Sequence, residues 1–293
     1  MTTNNGLLLM DKPRGVTSHD VVAHVRRVLN ERRVGHAGTL DPMATGLLIL
    51  GVGPSTRLLR FAQSEKKRYE GVLSLGVRTD SLDADGIEVQ RAPVPALAPE
   101  VINEAIASLL GAQEQVPPMV SALKVNGRRL HDLAREGVVI DRAPRSITVH
   151  ALSVTPLDDT HWGFEVTCSM GTYVRVLMSD LAERLGTLGH LSVLRRAASG
   201  DHEVRDALTY DDFEHRVSED IPVLLAPSAF VEHLPHVRVS EDEERRVRMG
   251  QRLALDEPGG DEIAAIAPSG HLVGVLRRRG DLWQPDVVMP ATA

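Results

Sequence analysis

Unbroken apolar runs and stretches of helical period alternate along the chain. "GLLLM" (6–10) reads as a short strand ended by the turn residues "DKPRG". "GLLILGVG" (46–53) reads as a second strand, apolar enough throughout to be buried. Between them Val21, Val22, Val25, Val28 and Leu29 repeat along one helix face. Thr17 and Asp20 fit a capping box that opens it, and Arg26, Arg27, Arg32 and Arg33 lie off the face or just beyond it. "RYEGVLSLGVRTD" has strand character. "PEVINEAIASLLG" is an amphipathic helix, with Pro99 suited to its first turn and Gly111 to its stop. "QVPPMVSALKVNGRRLHDLAREG" predicts a loop, a short strand and a basic helix, while "SITVHALSVTPL" and "WGFEVTCSMG" predict strands. Val174, Leu177, Leu181 and Leu185 predict a helix from Tyr173 to Leu185, closed by Gly186.

After residue 200 the pattern turns acidic and punctuated by proline, as in "SEDIPVLLAPSAFVEHLPHV", which places a domain boundary near residue 230. The remaining residues predict a small β-rich domain with turns at "EPGG", "PSG" and "RRRGD". A length of 293 residues suits two domains. The apolar runs are far too short to span a bilayer, and "MTTNNGLLLM" lacks the basic region and cleavage site of a secretion signal, so the expected location is the cytoplasm. The single cysteine, Cys168, excludes an internal disulfide and a Cys-rich zinc site, and the histidines have no metal-ligand spacing.

A net charge of -7 argues against general nucleic-acid binding, but its distribution qualifies that. Residues 11–70 carry eleven Lys/Arg against six Asp/Glu, and residues 121–150 carry six against three; residues 201–293 carry ten against nineteen. Basic segments on an acidic chain can form a local phosphate-binding face, or simply solvated helix surfaces.

The candidate chemistry centres on "GHAGTLDPMATG" (35–46), where the lone carboxylate Asp41 stands just before the buried strand. Asp-Pro is turn chemistry, so an Asx-turn is one reading of it and a reactive carboxylate the other. No G-x-S-x-G or H-E-x-x-H occurs, "GVGPSTR" lacks the Gly-Lys of a phosphate loop, and the adjacent residues of "SHD" (18–20) cannot form a triad with one another. No second acid is positioned as a partner for Asp41. Tyr69 and Tyr173, two of only three tyrosines, stand in polar or glycine-flanked contexts rather than on apolar stripes. Arg175 opens a helix, where a cation is not favoured, so it is either an ordinary surface arginine or one whose partner comes from elsewhere in the chain.

Five segments in order resemble the bacterial tRNA pseudouridine-55 synthase family, the TruB type. They are "DKPRGVTSHD", "GHAGTLDPMATGLLILGVGPSTR", "KRYEGVLSLGVRTDSLDADG", "QVPPMVSALKVNGRRLHDLAREG" and "CSMGTYVRVLMSDLAERLG" with the later "LRR". The tail resembles, more weakly, the PUA-like RNA-binding domain that ends such proteins. The resemblance implies an α+β catalytic domain (1–230) built on a bent, mixed, largely antiparallel sheet, with an RNA-clasping insertion at about 117–140, and a PUA-like domain at 231–293. It implies isomerisation of the uridine at position 55 in the T loop of tRNA to pseudouridine by base flipping, without a metal or organic cofactor, in a protein expected to be a monomer.

By the same resemblance Asp41 is the nucleophile, attacking either C1′ of the sugar or C6 of the base. Arg175 pairs with it and favours its ionised form. Tyr69 stacks on the target base, Tyr173 and Leu194 line the pocket, and His36 takes the place the base vacates. Lys124, Arg128 and Arg129 are plausible phosphate contacts, and Lys12 supports the pocket from the first motif. His131, where a tyrosine is common, and "RRAASGDHEV", without the usual threonine and phenylalanine, depart from the family pattern. The rival readings are a tRNA-binding or tRNA-folding protein acting on the elbow of the molecule, a synthase acting on other RNAs, and a carboxylate-based hydrolase.

Overall fold

The computed structural model describes residues 4–62, 66–121, 124–125, 128–129, 138, 140–255 and 260–291. Its main sheet is formed by β1 (Gly6–Lys12), β2 (Val34–Ala37), β3 (Thr45–Val52), β4 (Lys66–Leu75), and five strands further along the chain. A small hairpin of β5 (Val77–Thr79) and β6 (Glu88–Arg91) precedes β7 (Gly111–Gln115), and a two-residue pair, β8 (Lys124–Val125) with β9 (Arg128–Arg129), precedes β10 (Arg145–Pro156), β11 (His161–Ser169), β12 (Gly189–Ser199) and β13 (His202–Glu203). The sheet order is β1-β3-β12-β4-β11-β10-β7, with β2 added to β3 and β13 to β12. Only β3 and β12 pair in parallel, through Thr45 and Gly46 against Arg195 and Arg196, so the sheet is mixed and largely antiparallel, as expected.

Among the described residues the helices are α1 (Ser18–Leu29), α2 (Pro99–Ala107), α3 (Val174–Arg184), α4 (Tyr210–Ser218) and α5 (Glu241–Arg248). The capping box at Thr17 and Asp20 is formed, and Asn30 in a left-handed conformation ends α1. Tyr173 serves as the N-cap of α3 rather than as its first residue. "GVGPSTR" folds into the 3-10 turn Gly53–Leu58. Within the insertion at about 117–140 most residues, including His131 and the expected basic helix, lie outside the described residues.

The continuous apolar runs have a physical reason. In β1 and β3, Leu8, Met10, Leu48 and Leu50 pack against α1 and Phe213, while Leu7, Leu9, Leu47 and Ile49 face the other way. That second face is covered by Leu58 and Phe61, by Phe230 and Val231, and by the second sheet of the molecule. The second sheet consists of β14 (His236–Arg238), β15 (Glu262–Ile266), β16 (Leu272–Arg279) and β17 (Leu282–Val288), and it contributes Ala264, Leu272 and Val275. Its own core gathers Val237, Val247, Ile263 and Trp283. The other half of the main sheet buries Leu73, Leu75, Phe164, Val166 and Leu191 against Leu177, Met178 and Leu181 of α3 and Ala105 of α2.

Asp180 is half-buried on α3. Burial pushes its carboxyl up to about 6, and the neighbouring Glu183 adds to the rise. The fold resists ionisation of this group and the unfolded chain does not, so Asp180 withdraws stability as pH rises from about 4 to about 6. Asp180→Asn should raise the melting temperature at pH 7 by roughly 2–4 °C and give no gain near pH 3.5. Thermal melts at both values check this, and an equal gain at both would exclude the cause given.

Candidate active site

Four elements converge beside Asp41: the 38–41 loop, strand β4, strand β12 and the N-terminus of α3. The loop leaves β2 and returns to the sheet as β3, and three buried side chains hold it from behind. Ser18 at the start of α1 accepts from the Leu40 amide (2.9 Å) and donates to the Leu40 carbonyl (3.1 Å). Arg196 donates to the carbonyls of Leu47 (2.7 Å), Gly38 (3.1 Å) and Thr39 (3.5 Å). The Lys12 ammonium donates to the carbonyls of Val16 (2.7 Å), Pro13 (2.9 Å) and Pro42 (3.3 Å). Burial lowers Lys12 to about 8, while Asp41 pulls in the opposite direction. The Gly15 amide adds a bond to the Pro42 carbonyl (2.8 Å). Lys12 thus holds the peptide next to Asp41 without bonding its carboxylate.

Asp41 does begin a turn, its carbonyl accepting from the Ala44 amide at 3.1 Å. Its carboxylate, however, bonds not to its own loop but to Arg175, whose Nε donates to Oδ2 at 2.9 Å. Arg175 is 2% exposed and Asp41 36%, so the pair presents its carboxylate to the cavity and hides its guanidinium. Both terminal nitrogens of the fork are also engaged. Nη1 donates to the Ser81 carbonyl and lies 3.4 Å from Asp83 Oδ2, and Nη2 donates to the Val120 carbonyl at 2.8 Å. These acceptors answer how a cation can open a helix against the dipole.

Asp83 is a second acid on Arg175 that the sequence did not single out. It is buried, and burial pushes its carboxyl up, against the opposing effects of the Ser81 hydroxyl and Arg175. Its loop is tightly tied: Ser81 Oγ donates to Oδ1 at 2.6 Å, and Thr79 Oγ1 to the Asp83 carbonyl at 2.7 Å. Asp83 meets Arg175 on the opposite side from Asp41. It serves the arginine and is not a second reactive acid in the cavity. The acid-rich run "RTDSLDADG", closed by a glycine, marks a polar turn but not which of its aspartates is buried.

The cavity in front of Asp41 has a volume of about 350 Å³ and is lined by Tyr69, Tyr173, Arg175, Leu194, Lys67 and the 38–41 loop. Tyr69 on β4 is buried, its hydroxyl pushed up by burial and faced by the Arg196 guanidinium. Leu194 on β12 is buried beside it. The backbone of Tyr173 is gripped at both ends by Gln115 of β7, which accepts from its amide (2.8 Å) and donates to its carbonyl (3.1 Å). Gln115 and Arg196 escaped sequence reasoning because their partners are carbonyls and amides distant in the chain.

Five of the ten residues singled out from sequence therefore meet at one cavity: Asp41, Arg175, Tyr69, Tyr173 and Leu194. His36 lies on β2, outside the cavity lining, its ring edge-on to His19 with centroids 6.1 Å apart. Burial lowers its pKa, and its Nδ1 lacks a hydrogen-bond partner among the described residues. Lys12 stands behind the loop. Lys124, Arg128 and Arg129 lie in the pair β8–β9, of which only the backbone is described.

Gly46 ends the loop at φ +100°, and a Cβ there would come within 2.4 Å of the Arg196 carbonyl. Gly46→Ala should cost at least about 1 kcal/mol through backbone conformation alone, and more through the clash. Urea unfolding measures it, and a neutral result would show that the loop does not depend on this contact.

Comparison with known proteins follows the same segments. A family model described as TruB family pseudouridylate synthase (N terminal domain) matches residues 26–174, and one described as tRNA Pseudouridine synthase II, C terminal, matches residues 234–290. A tRNA pseudouridine synthase B of Leifsonia xyli subsp. xyli is 44% identical over 98% of this chain and 97% of its own. One of Thermobifida fusca is 40% identical over 97% of this chain and 98% of its own. Among solved structures, a protein in the crystal structure of a Cbf5-Nop10-Gar1 complex matches with a TM-score of 0.74 over 97% of this chain and 85% of its own. At 23% identity it shares the fold.

Proposed function

The chain belongs to the TruB family of pseudouridylate synthases and isomerises uridine in tRNA to pseudouridine; we propose that its target is the T-loop uridine at position 55 and that Asp41 is the nucleophile. The observation that carries this reading is the Asp41–Arg175 pair facing an open, partly apolar cavity. Attack on C1′ of the sugar and attack on C6 of the base both require an ionised carboxylate held still. The Arg175 guanidinium gives that carboxylate a charged partner, and the Lys12, Ser18 and Arg196 clamps hold its loop still.

The uridine must leave its stack to reach Asp41, at a cost of a few kcal/mol. Tyr69 offers a buried ring on which the extruded base stacks, a contact of roughly 1–3 kcal/mol. Leu194 and Tyr173 complete a wall that excludes water and so strengthens the Asp41–Arg175 attraction. His36, outside the cavity but on the same loop-bearing edge, fills the place of the extruded base. Lys124, Arg128 and Arg129 contact tRNA phosphates. No step needs a metal or redox partner, because the reaction rearranges bonds without net oxidation. Among the described residues no helix is long and apolar enough to cross a membrane; in this reading the protein works on tRNA in the cytoplasm as a monomer.

The test is tritium release from a tRNA transcript carrying [5-³H]uridine, because C5 loses its hydrogen only once the new carbon–carbon bond has formed. Wild type should release tritium, and Asp41→Asn should release none while still retaining tRNA on a filter. Wild-type turnover by Asp41→Asn would remove Asp41 from the chemistry.

A further inference from the structure

Lys67 is a cation that the chemistry above does not use. It lies two residues before Tyr69 on β4, hence on the same face, and lines the same cavity. It is 8% exposed. No hydrogen bond or ion pair to its ammonium is found among the described residues, whereas Lys12, Arg175 and Arg196 each have several acceptors. Its charged neighbour is Arg196, which is itself bonded to carbonyls rather than to a carboxylate. The nearby Cys168 thiol is pushed up to about 11 by burial and so stays neutral. Gly38 lets the ammonium approach the loop: a Cβ at that position would lie 2.9 Å from Lys67 Nζ.

A buried lysine without an anion is costly, and burial together with Arg196 lowers this one to about 8, so most of it is still charged at neutral pH. Two cations thus stand on the β4–β12 side of the cavity, while the acids Asp41 and Asp83 are both committed to Arg175 on the other. Uracil brings no charge. The nucleotide that carries it into the cavity brings phosphodiesters on both sides.

Resting on the functional reading above, we propose that Lys67 is a substrate-binding residue that grips one of the two phosphodiesters flanking the extruded uridine. The contact fixes the nucleotide along β4, so that Tyr69 receives the base and Asp41 faces the glycosidic bond. It also gives Lys67 the anion the free protein lacks, and so forms only when the uridine is fully inserted.

The experiment is a chemical double-mutant cycle. Wild type and Lys67→Met, which keeps length and removes charge, act on T stem-loop RNAs. One RNA is native, one has a methylphosphonate 5′ of the target uridine, and one has it 3′. The readout is the single-turnover rate of pseudouridine formation. A charge-assisted hydrogen bond is typically worth roughly 10- to 100-fold in rate. Lys67→Met on native RNA and wild type on one of the neutral linkages should each lose about that much. The two changes combined should lose no more than either alone. Losses that multiply at both linkages, or a wild type indifferent to both, overturn the proposal, and the latter result does not depend on the variant's folding. Wild type that fails on native RNA sinks the functional reading and this proposal together, whereas active wild type with multiplying losses sinks this proposal alone.

Discussion

A single buried guanidinium organises the site. Arg175 accepts no solvent and spends its donors on three separate stretches of chain: Asp41 on the β2–β3 loop, Ser81 and Asp83 on the loop after β5, and Val120 at the start of the insertion. Removing the arginine would leave two carboxylates and two carbonyls facing one another without a positive charge, a loss far above that of an exposed ion pair. One residue therefore both assembles the cavity wall and gives the Asp41 carboxylate a charged partner at 2.9 Å.

The same logic, cations bonded to backbone carbonyls, builds the floor. Arg196 binds the carbonyls of Gly38, Thr39 and Leu47, and Lys12 those of Pro13, Val16 and Pro42, instead of acids. Carbonyls leave a positive charge uncancelled, so the floor stays electropositive while being fully hydrogen-bonded. A bulge in β12 between Arg196 and Ala198 accompanies this arrangement. Adjacent arginines diverge there: Arg195 reaches Asp11 at 2.6 Å and Arg196 turns under the loop.

Local signals were legible where local chemistry decides. The capping box of α1, the strand "GLLILGVG" and the helix beginning near Tyr173 follow from spacing and turn residues alone. The proximity of Asp41 and Arg175, 134 residues apart, came only from family resemblance, because no periodicity encodes a contact across a sheet. Asp83 shows the limit in the other direction. Its acid-rich loop reads as a polar turn, and nothing local distinguishes a solvated aspartate from one buried under a guanidinium. Gln115 and Arg196 were hidden for a related reason, since a side chain that binds distant backbone has no partner residue type to search for.

The apolar face of β1 and β3 made by Leu7, Leu9, Leu47 and Ile49 has a consequence for how such a protein can change over evolutionary time. That face is roofed by Phe230, Ala264, Leu272 and Val275. The C-terminal sheet is therefore a wall of the core of the main sheet as well as a surface of its own. Its outer charges can drift freely, but its inner residues are tied to strands that carry the reactive loop. A lineage could retune or lose RNA contact in this region, yet it could not discard the region without exposing the core beneath Asp41.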